Sequence, residues 1–139
     1  MDFTKIVSLE TLNKMSVSTM VNHLGIEFIE IGTDWLTAKM PVDHRTHQPY
    51  GLLHGGASVA LAETLGSIAA HCCIDSTRQY CVGLEINANH LKAVRDGFVY
   101  GTARPIHVGR STQVWEIKIE TEKKELVCIS RITMAILTK

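Results

Sequence analysis

The stretch HGGASVALAETLGSIAA, positions 54 to 70, constrains the fold more than any other part of this chain. It reads as a helix entered through a Gly-Gly pair, rich in Ala, Val, Leu and Ile, with Glu63 in its middle. Advancing 100° per residue, an apolar set from Ala57, Leu61, Ala62 and Leu65 through Ile68, Ala69, Cys72 and Cys73 fills an arc of roughly 220°. Glu63, Thr64, Ser67 and His71 gather in the remaining sector, with Ala60 as the one apolar residue among them. A helix this apolar has to be wrapped by a sheet rather than laid along its edge.

The rest of the chain supplies that sheet. Ile26 to Ile31 and Trp35 to Val42 read as two strands joined by the turn Gly32-Thr33-Asp34. Four more runs follow the helix: Cys81–Leu91, Phe98–Val108, Ser111–Thr121 and Leu126–Leu137. Alternation predicts that Val82, Leu84, Ile86 and Ala88 face one way, against Gly83, Glu85, Asn87 and Asn89. Trp115, Ile117 and Ile119 likewise oppose Glu116, Lys118 and Glu120. The short connections between these runs require antiparallel neighbours. The fold class is therefore α+β. Residues 1–139 form one domain, of which 1–24 is an N-terminal helical segment: Ser8 caps a helix with Leu9, Leu12 and Met15 on one face, and a second ends at Gly25.

Composition removes several function classes. Fourteen basic residues balance fourteen acidic ones, so no global field draws the chain to nucleic acid or an anionic membrane. No apolar run reaches the roughly 18 residues of a membrane span, and the start lacks a charged-then-apolar leader, which places the expectation in the cytoplasm. The four cysteines have neither metal-site spacing nor the density of a disulfide scaffold, and vicinal Cys72 and Cys73 are expected on the helix as small apolar residues. His44-x-x-His47 fits no zinc motif, so no metal is expected. Trp35 and Trp115 are expected to pack rather than stack on a ligand.

A mid-helix carboxylate is ordinarily a solvated surface residue. The polar sector, however, holds no Lys or Arg and no Glu–Lys pair one turn apart, which a solvated face commonly shows. It offers one carboxylate, two hydroxyls and an imidazole, so a functional cleft and a plain outer face both remain open on this count alone. The entrance adds to the first reading. Initial helix N–H groups lack internal partners and the helix dipole favours negative charge there. Gly55 and Gly56 would present two unblocked amides to a carbonyl oxygen becoming an oxyanion. The plainer alternative is that two glycines only permit a sharp turn. Gln48, His54 and Glu63 nearby argue against it.

The segments DHRTHQPYGLLHGGASVALAETLGSIA, VGLEINANHLK and HVGRSTQVWEIKI together resemble the hotdog-fold acyl-CoA thioesterases. The resemblance is nearest to the branch that hydrolyses aromatic acyl-CoA and acyl-carrier-protein thioesters, and it runs from about Val17 to Leu137. It implies a six-stranded antiparallel sheet curled around one long central helix. It also implies homodimers formed edge to edge, stacked further into homotetramers. Acyl groups in the branch include hydroxybenzoyl and 1,4-dihydroxy-2-naphthoyl, the latter from menaquinone synthesis.

The same resemblance implies roles. Glu63 matches the catalytic carboxylate, acting as nucleophile or as general base toward water. Gly55 matches the backbone N–H that polarises the thioester carbonyl. His54 and Gln48 match side chains that orient the thioester, and Ser67 a hydroxyl beside the attacking water. In such dimers Glu63 works across the interface. Gly83, His90, Leu91, Lys92 and Ala93, with the turn His107, Val108, Gly109, Arg110, Ser111 and Thr112, match the surface that holds coenzyme A. No cofactor is implied, coenzyme A being part of the substrate.

The chemistry stands apart from the resemblance. A thioester has a good leaving group, so fixing its carbonyl, stabilising the developing charge and presenting a carboxylate suffice without metal. Lys92, Arg95, Arg104 and Arg110 make a locally basic stretch suited to phosphates; charged strand ends that protect edges would look the same. Two other functions remain: a hydratase or dehydratase of the same fold, and a non-catalytic acyl-CoA binding protein. The former's Asp–His pairing has no counterpart here.

Overall fold

The computed structural model describes residues 1–139. The strands are β1 (Glu27–Ile31), β2 (Leu36–Pro41), β3 (Gln79–His90), β4 (Phe98–Val108), β5 (Thr112–Thr121) and β6 (Leu126–Thr138). They form one antiparallel sheet in the order β1-β2-β4-β5-β6-β3, so β1 and β3 are its edges.

Side-chain alternation decides which face is core. On β5, Gln113, Trp115, Ile117 and Ile119 are buried; on β6, Cys128, Ser130, Ile132, Met134 and Ile136 are buried beside them. The long helix α3 (Gly55–His71) lies across this face and touches every strand from β2 to β6. Leu61, Ala62, Leu65 and Ala69 vanish from solvent between helix and sheet. The expected wrapped helix is therefore present. No helix is long and apolar enough to cross a membrane.

Before the sheet, a 3-10 turn (Phe3–Lys5) buries Phe3 against Trp115, and two short helices follow, α1 (Leu9–Met15) and α2 (Met20–His23). Ser8 caps α1 as expected, its hydroxyl accepting from the Thr11 N–H at 3.1 Å. Only part of the predicted α1 face is buried: Leu12 is enclosed, while Met15 is exposed. The cause is Asn13, whose side-chain amide both donates to and accepts from the Phe28 backbone and so fixes the roll of the helix. α2 ends before Gly25, whose φ of +73° lies in the left-handed region.

Two further expectations need correction. α3 stops at His71, with Cys72 as its cap and Cys73 beyond it, so the vicinal cysteines are not on the helix. Strand β3 also does not alternate cleanly. Gly83 pairs with Met134 and Glu85 with Thr133, so a β-bulge inserts one residue between them. Gly83 thereby faces the helix, Val82 faces away, and Leu84 is 62% exposed. One extra residue exchanges the faces, because the side-chain period is two.

Candidate active site

The entrance to α3 is sorted amide by amide. The His54 carbonyl accepts from the Ala57 and Ser58 N–H groups at 3.0 and 3.2 Å. The His54 ring is the side-chain cap, its Nδ1 accepting from the Gly56 N–H at 2.7 Å. Of the first four N–H groups only that of Gly55 is left without an acceptor in the chain. The expected pair of unblocked amides is therefore a single one, because the His54 ring accepts from the second. A neutral ring whose Nδ1 accepts carries its proton on Nε2, so His54 keeps one donor for another partner.

Beside this entrance is a cleft of about 370 Å³ lined by Gln48, Leu52, Leu53, Gly55, Ser58, His90, Leu91, Lys92, Ala93 and Val127. Six of the residues expected at the site thus meet in one place. Gln48 is held by its own loop: its backbone N–H donates to the Leu52 carbonyl at 2.8 Å and its side-chain oxygen accepts from the Tyr50 N–H. Its NH₂ remains available as a donor. The His90 imidazole packs directly on Gly55. Lys92 pairs with Glu125 at 3.0 Å, and hydrogen bonding to Lys92 holds the Glu125 carboxyl below its ordinary value. Ser58, almost fully buried, joins the cleft without having been anticipated. Its place one turn after Gly55 is the signal that could have found it. Val127 arrives from β6, and no sequence spacing announces it.

Glu63 lies elsewhere. At 1.5 Å per residue it stands about 12 Å along the helix from Gly55, half-buried over edge strand β3, with its carboxylate against Gly83. Its carboxylate has no hydrogen bond or ion pair within the chain. Ser67 follows one turn later, where its carbonyl faces the Cys81 thiol at 3.9 Å.

The turn from His107 to Thr112 joins β4 to β5 and is closed by the Gly109 N–H donating to the Thr112 carbonyl at 2.9 Å. Its position follows from the register: Thr112 is paired with Ala135, and Ala135 with Val82. The turn therefore lies at the Gly83 end of the sheet. His90 to Ala93 lie at the other end, about 23 Å along β3 from Gly83. The two halves of the expected coenzyme A surface are thus not brought together within one chain. Arg110 is exposed on the turn. His47 is tied to the Arg95 carbonyl at 2.8 Å, His44 is solvent-facing, and no three His, Cys, Asp or Glu side chains gather as ligands.

Residues 50–128 match the family model of the thioesterase superfamily. A 1,4-dihydroxy-2-naphthoyl-CoA hydrolase from Escherichia coli is 54% identical over 94% of this chain and 96% of its own. The chain belongs to the thioesterase superfamily. A proofreading thioesterase from Cronobacter turicensis is 53% identical, covering 94% of this chain and 95% of the relative. A crystal structure of a mutant thioesterase from Pseudomonas aeruginosa, 50% identical, superposes with a TM-score of 0.94 over 96% of both chains. The fold is accordingly that of the hotdog thioesterases, and this protein is a thioester hydrolase. Thioesterase chemistry needs an oxyanion donor and a carboxylate or activated water. One chain holds groups of both kinds, but about 12 Å apart along α3, the Gly55 amide at its entrance and the Glu63 carboxylate at its middle.

Proposed function

We propose that this thioesterase hydrolyses acyl-CoA thioesters with aromatic acyl groups, at sites each shared by two copies of the chain. The observation that carries the reading is the separation of Gly55 from Glu63 along α3. A carbonyl held at the Gly55 N–H is out of reach of the same chain's carboxylate. Edge strand β3 supplies the remedy. It is unpaired on one side, and antiparallel pairing with a second β3 carries each end of one strand to the opposite end of its neighbour. That operation sets Gly55 and His90 of one protomer toward Glu63 and the 107–112 turn of the other.

In this reading the Gly55 N–H holds the carbonyl oxygen as charge develops on it. Gln48 and the Nε2–H of His54 orient the thioester. Glu63 of the second copy either attacks the carbonyl carbon or removes a proton from an attacking water, with Ser67 beside it. The C–S bond breaks and coenzyme A leaves as its thiolate; where Glu63 itself attacks, water then cleaves the resulting mixed anhydride, releasing the acid and restoring the carboxylate. Lys92, at the rim of the cleft, and Arg110, on the turn, suit its phosphates. The aromatic acyl group is proposed on the strength of the Escherichia coli relative's name, which makes 1,4-dihydroxy-2-naphthoyl-CoA the first substrate to assay. A panel of aryl- and alkyl-CoA thioesters compared by kcat/KM tests it; uniform values across the panel would refute aromatic preference. Release of free thiol separates hydrolysis from hydration of the acyl chain.

Sharing of the site has its own experiment. Glu63→Gln and Gly55→Pro each disable one half; proline suits the first helical position and lacks the N–H. Each homodimer should be inactive. Co-expressed, separately tagged heterodimers of the two should recover activity, because one of their two sites is intact. If both groups served the same carbonyl from one chain, the heterodimer would be as dead as its parents. A Glu63→Gln homodimer with native turnover would remove Glu63 from the mechanism.

A further inference from the structure

The geometry points to Gly83, with the bulge that follows it, as the seat that positions the Glu63 carboxylate. This inference rests on Glu63 being the reacting carboxylate. A Cβ built on Gly83 would stand 2.5 Å from Glu63 Oε1 and 3.6 Å from Cδ. The carboxylate therefore occupies the space that any other residue at position 83 would fill.

The backbone does not ask for glycine there. The positive-φ glycines of this chain are Gly25, Gly51 and Gly97, so Gly83 has a conformation open to any residue. The bulge explains how glycine reaches this position. Counted back from Ile86 in strict alternation, Leu84 and Val82 would lie beneath the helix, and either would displace the carboxylate. The inserted residue between Gly83 and Glu85 turns both away and brings Gly83 under Glu63. Glu63 has no hydrogen bond or ion pair of its own within the chain, so this contact is what sets its direction. Gly83 is thus a positioning residue: it bears no reacting atom and acts through the carboxylate it admits.

Only the far end of a flexible side chain opposes a methyl group at Gly83, so Gly83→Ala should fold normally. The cost should fall on catalysis, since displacing a reacting group by about 1 Å can cost on the order of 10²-fold in rate. The expected result is a kcat lowered on that scale, with KM held within about threefold, an unchanged melting temperature and an unchanged oligomeric state by size-exclusion chromatography with light scattering. Glu63→Asp supplies the second arm. Aspartate is one methylene shorter and withdraws from the new methyl group, so Gly83→Ala should lower kcat by a much smaller factor in the Glu63→Asp background than in the wild type. Native kcat in Gly83→Ala, an equal factor in both backgrounds, or a loss that tracks dissociation of the oligomer would each overturn the inference. Native turnover in Glu63→Gln would instead overturn the reading beneath it, and the two failures are told apart by that variant.

Discussion

His90 Nε2 packs so closely on Gly55 that a methyl group on Gly55 would stand 2.9 Å from it. The end of the edge strand and the entrance of the helix are thereby locked together, with the one free amide of α3 at the junction. Gly55→Ala keeps that N–H but forces the imidazole aside. We expect kcat/KM to fall roughly tenfold, a modest share of what an oxyanion donor contributes, without a drop in melting temperature. Because the injury passes through His90, Gly55→Ala and His90→Ala should be clearly non-additive in a double-mutant cycle. Additive losses would mean that the contact is incidental.

His54 has two separable duties. As the cap it accepts from the Gly56 N–H at 2.7 Å; as a donor it has Nε2–H left. His54→Ala should cost about 1 kcal/mol of stability, the usual cost of a lost N-cap, seen as a melting temperature lower by a few degrees. His54→Asn should restore the cap and the melting temperature while leaving kcat/KM depressed. Full recovery of activity by asparagine would show that capping is the residue's whole contribution.

The plan of the fold was legible because it rests on periodicity. Six strand-like runs and one long apolar helix appear within a residue or two of their places, since burial on one face imposes a period of two or 3.6. What escaped has a common cause in single-residue events. The bulge at Gly83 leaves no mark on composition yet exchanges the faces of half a strand. Asn13 fixes the roll of α1 through backbone contacts fifteen residues away, so Met15 is left in solvent. Within the site, Gln48, Gly55 and His90 to Ala93 line one cleft. That His54 would consume the Gly56 amide could not be read, because a ring's direction is set by the turn that precedes it. The distance between Gly55 and Glu63 was readable from helix rise alone, and it makes two copies of the chain a requirement of the proposed chemistry.

Lys92 meets a competitor at the cleft. Its ammonium is 3.0 Å from Glu125, so a phosphate must displace or share that contact. Lys92→Ala should raise KM for acyl-CoA several-fold with little change in kcat, and the effect should shrink as salt rises, since exposed charges are screened. Glu125→Gln should move KM the other way by freeing the ammonium. A rise in KM on removing Glu125 would show that the carboxylate orients Lys92 rather than competes for it.

Raised thiols tie the stability of the fold to alkaline pH. Burial pushes the Cys72 thiol up to about 11 and that of Cys73 up to about 12, with neighbouring thiols adding to the effect. Cys81 and Cys128 are raised for the same first reason. The ordinary thiol value is 9.0. Below it both folded and unfolded chains hold these protons, and the thiols give stability no pH dependence. Above it the unfolded chain releases them while the folded chain retains them, so stability falls as pH rises from about 9 toward 12. The urea midpoint should therefore decline over that window. Cys73→Ala should show a shallower decline than the wild type, which isolates the contribution of that thiol. At pH 8 a disulfide reagent should label the native protein far more slowly than the urea-unfolded chain, because the thiolate is the reactive form. Equal slopes for wild type and Cys73→Ala, or rapid native labelling, would contradict this account of the buried thiols.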